Sequence, residues 1–388
     1  MKIALFSNFL NHHQLPLCNA FLSKEGVEFS FVATEPIHEE RKNMGYEDMN
    51  AYPFVVRAYE NEVQKKLAMQ IATNYDVVIF GASPLCYLDA RMQTGKLTFR
   101  FCERSLKKGT WRRFIPRTRK KIFNGYTKYK NDNLYILGAS AFTSYDLSLC
   151  GFNSDKCFKW GYFPKVENRD LEKLMDCKDN KITQILYAGR VIELKRVIDT
   201  LKALNSLVKK GITNFHFTII GEGDKKPQLK EYVNKNSLES FVTFLPFMKP
   251  GQVREYMDKS NVFVFGSNFL EGWGAVVNEA MNSACVVVVS HAVGSSAFLI
   301  KQGENGFVYN CGKTKELAQK LEYLITNKSK TKEMSEKGYK TITELWTADV
   351  AVKRLLTLCE MLNDGKNVKN LFNEGPVSSA GIIKNNWY

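Results

Sequence analysis

Two carboxylates, Glu271 and Glu279, stand eight residues apart around the turn Glu271-Gly272-Trp273-Gly274. A carboxylate accepts two hydrogen bonds at once, which suits the hydroxyls of a sugar or ribose. Gly272 and Gly274 let the backbone approach a ligand closely. If a helix begins near Gly272, its first N–H groups suit phosphate. Glu279 then lies about two turns further on, at one side of the same cleft. The alternative is an ordinary buried unit carrying two solvated glutamates.

Such groups need a frame. Residues 262–265 (VFVF) and 284–289 read as wholly apolar strands. A helix between them, running to about Met281, carries Val276, Val277, Ala280 and Met281 at helical spacing. Strand, turn, helix and strand make a parallel unit buried on both faces. Similar strands are expected at 1–7, 27–33, 75–81, 97–102, 134–137, 184–188, 215–220 and 242–245, mostly followed by helices. The polar stretch 165–181 reads as a linker, which predicts domains at 1–164 and 165–347, with a returning helix and a loosely ordered tail at 348–388.

The string EGWGAVVNEAM at 271–281 resembles the EX7E motif of retaining glycosyltransferases of the GT-B fold, notably family 4. The resemblance implies that Glu279 holds ribose, Glu271 contacts the donor sugar, and the turn Gly272, Trp273 and Gly274 carries the diphosphate. Gly189-Arg190 with Lys195 five residues on is similar to the same family, where the arginine and lysine clamp that diphosphate. The chemistry requires it, because two fixed cations stabilise charge developing on a diphosphate leaving group. Gly221 and Phe247, at two later strand ends, fall where the family lines its base pocket, largely through backbone. Ala284 and Ala297 depart from a usual glycine and a common glutamate. The implied fold is α/β, two Rossmann-like domains facing across a cleft.

Acceptor candidates come from the first half. Asn11, His12, His13 and Gln14 follow the first strand, where ligands of open α/β sheets bind. Most of the resembling family has a glycine-rich turn there, and a polar loop capping the next helix is the competing reading. Glu103 and Arg104 end another strand, as acceptor contacts, as an ion pair with each other, or as a solvated strand end.

The formal charge is +15, which implies an anionic partner. Residues 107–130 concentrate it, with ten Lys or Arg and no Asp or Glu, interleaved with Trp111, Phe114, Phe123 and other apolar residues. This composition fits an anionic membrane surface, single-stranded nucleic acid, or simply a solvated basic helix. Pro116 argues against one unbroken helix. No apolar run reaches the ~20 residues of a membrane helix, and residues 3–6 are too short for a signal core. The expectation is a cytoplasmic protein, peripheral on the inner face of the membrane. Nine cysteines without a C-x-x-C pair fit buried thiols in a reducing compartment. Five histidines show no metal-ligand spacing.

The expectation is therefore a hexosyl- or related glycosyltransferase using a nucleoside diphosphate sugar (UDP or GDP), a glycan or lipid-linked acceptor, and neither metal nor cofactor. A sugar-nucleotide epimerase of the same fold, or a non-catalytic basic membrane- or nucleic-acid-binding protein, are the alternatives.

Overall fold

The computed structural model describes residues 1–39, 47–178 and 181–388. Residues 40–46 of the polar stretch after the second strand, and 179–180 of the expected linker, lie outside the described residues. The chain divides into two units, residues 1–165 with 346–384, and residues 166–345 with 385–388.

Among the described residues, the first unit is built on seven parallel strands: β1 (Lys2–Ser7), β2 (Glu28–Ala33), β3 (Val55–Arg57), β4 (Val77–Phe80), β5 (Thr98–Cys102), β6 (Leu134–Gly138) and β7 (Cys157–Lys159). Their order is β3-β2-β1-β4-β5-β6-β7. β1 from Ile3 onward and all of β4 are buried and almost wholly apolar, as central strands covered on both faces must be. β3 and β7 were not read from the sequence. Each holds only three residues, too few to show a period.

The tail departs from expectation. Residues 377–380 run antiparallel beside β7: Lys159 donates to Ser378 O at 2.8 Å, and Val377 and Ala380 donate to Lys159 O and Cys157 O. An edge strand with open N–H and C=O groups is thereby covered, and this gives the tail its order.

Among the described residues, the second unit has six parallel strands: β8 (Thr183–Ala188), β9 (Phe215–Ile220), β10 (Val242–Leu245), β11 (Val262–Phe265), β12 (Val286–Ser290) and β13 (Gly306–Tyr309). Their order, β10-β9-β8-β11-β12-β13, reverses between β8 and β11. Loops leaving the carboxyl ends of those two neighbours diverge and open a crevice, the usual ligand site of doubly wound sheets.

Candidate active site

The loop after β8 starts at Gly189, whose φ is 148°. It continues the parallel pairing beyond the strands, with Gly189 N–H donating to Ile220 O at 3.0 Å and Val191 N–H to Glu222 O at 2.7 Å. Two glycines after β9 make this possible. A Cβ on Gly221 would lie 2.0 Å from Gly189 O, and one on Gly223 would lie 2.1 Å from Val191 O. Gly221 is thus explained by close backbone approach, whatever a ligand adds.

Arg190 is exposed, and its carbonyl accepts the Tyr187 hydroxyl at 2.8 Å. Lys195 ends a short 3-10 turn (Glu193–Lys195). Arg196 then takes a left-handed φ of 51° before the helix Val197–Val208, and Asp199 holds its guanidinium at 2.7 Å. Lys195 Nζ donates to Glu271 Oε2 at 2.5 Å and lies 4.7 Å from the centre of the Phe265 ring. The cation from the β8 loop and the carboxylate from the β11 loop therefore meet at the sheet's switch point.

Tyr187 was not singled out from the sequence. Burial pushes its phenol up; Glu271 adds to the rise and Arg190 opposes it. It sits in the field of both. Its signal was only a tyrosine two residues before a glycine at the end of an apolar strand.

The turn 271–274 corrects two expectations. The helix begins at Val276, not near Gly272, and ends at Asn282, next to the expected end at about Met281. Residues 272–274 are irregular backbone, and Glu279 lies in the helix's first turn, so the expected phosphate-binding helix start near Gly272 is not formed. Trp273 is buried, with its indole N–H donating to Asn278 Oδ1 at 2.9 Å. Its side chain is a core anchor, so only its backbone is left for a diphosphate. Gly272 is buried beside it, while Gly274 has φ 83° and would drive a Cβ to 2.7 Å from the Phe265 ring. The glycine pattern thus seats the turn against β11.

Glu279 is half-buried. Burial pushes its carboxyl above the ordinary range, and the charge of Arg254 opposes this. Arg254 donates to the Glu279 carbonyl at 2.6 Å and to Asn282 Oδ1 at 2.5 Å, tying the helix Pro250–Lys259 to the helix that carries Glu279. Phe247, after β10, is 54% exposed, an open ring suited to stacking. Beside the Glu271 loop, Phe269 meets His291 edge-on at 5.2 Å. Trp387 in turn donates to the His291 carbonyl at 3.0 Å.

In the first unit, Asn11 and Gln14 brace the loop after β1, and Gln14, the N-cap position of the next helix, makes no side-chain capping bond. His13 N–H donates to Asn11 Oδ1 at 3.0 Å, and Asn11 Nδ2 donates to Gln14 Oε1 at 2.9 Å, ahead of the helix Leu15–Leu22. The His12 and His13 rings lie 3.8 Å apart, and His13 lies 6.3 Å from Tyr162. Tyr162, also missed, donates to Glu103 Oε1 at 3.1 Å, and Lys107 pairs with Glu103 at 2.5 Å. Arg104 is buried and grips Asp146 through two nitrogens at 2.9 and 3.2 Å. Glu103 and Arg104 therefore pair with other residues, and Arg104 sits inside the fold rather than at an acceptor surface.

Residues 176–341 match the family described as Glycosyl transferases group 1. Among curated relatives, the chain is 26% identical over 226 residues to an alpha-monoglucosyldiacylglycerol synthase of Acholeplasma laidlawii, covering 57% of this chain and 52% of that protein. It is 24% identical over 211 residues to the capsular polysaccharide biosynthesis glycosyltransferase CapM of Staphylococcus aureus, covering 54% of each. The chain thus spans about half the length of these two relatives. Among solved structures, Anabaena HepE in complex with UDP matches with a TM-score of 0.66 at 16% identity, over 94% of this chain and all of that one. That likeness establishes a fold of two parallel-sheet α/β domains, the GT-B architecture. The residues that match this family hold the Lys195–Glu271 pair.

Proposed function

We propose that the protein transfers a sugar from a nucleoside diphosphate sugar to a glycan or lipid-linked acceptor, with retention of anomeric configuration. The observation that carries this reading is the Lys195–Glu271 contact across the β8/β11 switch point. Lys195 and the exposed Arg190 supply positive charge where a diphosphate departs. Glu271, already held beside that charge, accepts hydrogen bonds from the donor sugar. Glu279 accepts the ribose hydroxyls, Phe247 stacks on the base, and backbone at Gly189 and Gly221 lines the pocket. No side chain is assigned as nucleophile, so attack comes from the face that the phosphate leaves. The cationic work is assigned to these side chains, and transfer is expected to persist in EDTA.

HepE was solved with UDP, so uridine nucleotides are the first probes. Relatives named for a diacylglycerol glycolipid and for capsular polysaccharide support a lipid or glycan acceptor. A lipid-borne acceptor would be met at the inner face of the membrane. Within the first unit, His13, Tyr162 and Glu103 are the acceptor-side candidates.

The test is thermal stabilisation by UDP, GDP and their sugars, with Glu279→Ala in parallel. A ligand that binds only the folded state raises Tm. A shift with one nucleotide, lost in the variant, supports the reading, and the product anomer by NMR then decides retention. No shift with any nucleotide sinks it. Conversion of donor without an acceptor would mark an epimerase instead.

A further inference from the structure

We infer that residues 110–123 dock the protein on an anionic lipid bilayer. The 3-10 helix Thr110–Phe114 and the helix Pro116–Gly125 follow one another, broken where Pro116 starts the second. Phe114 is 72% exposed, Trp111 59% and Phe123 51%. Three large apolar side chains lie outward within thirteen residues.

The helix explains the arrangement. Ile122 and Gly125 are buried and face the unit's core. Pro116, Arg119, Lys120 and Phe123 recur at helical spacing on the opposite face, and all four are exposed. Of the ten cations in 107–130, Lys107 and Lys128 pair with Glu103 and Asp89. The remaining eight form no ion pair among the described residues. A solvated basic helix needs the charges but not the rings.

Membrane fits better than nucleic acid. Base stacking requires an open ring face, yet the Arg113 guanidinium lies 4.4 Å from the centre of the Phe114 ring and that of Arg112 5.6 Å from Trp111. A ring paired with its own cation offers hydrocarbon to the acyl boundary while the cation meets a headgroup phosphate. The purpose of docking rests on the lipid-borne acceptor proposed above; the docking itself does not.

The experiment is co-sedimentation of the full chain with phosphatidylcholine vesicles, with and without phosphatidylglycerol. Binding is expected only with the anionic lipid and should weaken with salt. The triple variant Trp111→Ser, Phe114→Ser, Phe123→Ser should partition about tenfold less or worse. Each of Arg117→Gln, Lys120→Gln and Lys121→Gln should cost roughly fivefold. The melting temperature and nucleotide-induced shift of these variants should match the parent, which separates lost docking from lost folding. Equal partition onto both vesicles, no binding, or full binding by the triple variant would overturn the inference. So would displacement from vesicles by a single-stranded oligonucleotide that the triple variant still binds. Vesicle binding without any nucleotide-induced shift would leave the docking standing and reject the transferase reading.

Discussion

The Lys195 ammonium lies 2.5 Å from the Glu271 carboxylate, and the two side chains are only 13% and 16% exposed. One comes from the loop after β8 and the other from the loop after β11, so this contact closes the sheet's switch point from both sides. It also arranges charge in advance. The lysine is positioned before any diphosphate arrives, with the glutamate carboxylate in contact with it.

A double-mutant cycle measures that relationship. Lys195→Met and Glu271→Gln should each lower stability, because each leaves the other group poorly paired in a mostly dry site. The double variant should lose less than the sum, with a coupling of about 1–3 kcal/mol. Urea unfolding of the four proteins gives the number, and strict additivity would show that the contact contributes nothing.

Glu279 should couple stability to pH. Its folded-state pKa is raised from the ordinary 4.5, mainly by burial. A raised carboxyl contributes stability that is full below the unfolded value and lost as pH rises through the folded one. Glu279→Gln should therefore stabilise the fold at about pH 8, with the gain vanishing at about pH 4. The same variant should weaken nucleotide binding by about tenfold or more if Glu279 holds ribose. Urea midpoints at both pH values and nucleotide titrations check the two halves separately.

Two glycines should behave in opposite ways. Gly221→Ala sets a Cβ 2.0 Å from Gly189 O at a φ of 140°, and should cost roughly 3 kcal/mol or more. Gly251, at the start of the helix Pro250–Lys259, would meet nothing within 4 Å. Gly251→Ala should stabilise by about 0.4–1 kcal/mol, through the unfolded chain. Melting temperatures of the pair decide it.

Arg104 is a test of structure rather than catalysis. Both members of the Arg104–Asp146 pair are buried, and Asp146 also accepts the Leu106 N–H at 2.7 Å. Arg104→Met would strand a buried carboxylate and should cost about 3–5 kcal/mol. Arg104→Met with Asp146→Leu should recover much of that loss. An unchanged melting temperature in the single variant would refute the account.

Much of the frame was legible because buried parallel strands are continuous apolar runs, and 262–265 and 215–220 could be read directly. The pairs were not. Lys195 and Glu271 are 76 residues apart, and nothing local to either announces the other. Tyr187 and Tyr162 were hidden for a related reason: each is one aromatic in an apolar stretch until the fold sets a charge beside it. Trp273 misled in the other direction. A tryptophan between two glycines reads as exposed to ligand, yet packing turned it inward. The helix start near Gly272 failed because Gly274, pressed against Phe265, holds its segment in irregular backbone.

The five tryptophans divide in a way that makes the protein its own optical sensor. Trp273 is almost fully buried and hydrogen-bonded between the two key glutamates, so its emission should be blue-shifted and should respond to a nucleotide seated on that turn. Trp111 is 59% exposed on the basic face and should respond to vesicles and to aqueous quenchers such as iodide. Trp160 and Trp346 are buried and would form a constant background, and the fifth, Trp387, is half-buried and donates to the His291 carbonyl. Replacing Trp111 or Trp273 by Phe, one at a time, would assign each signal without a dye or a coupled assay.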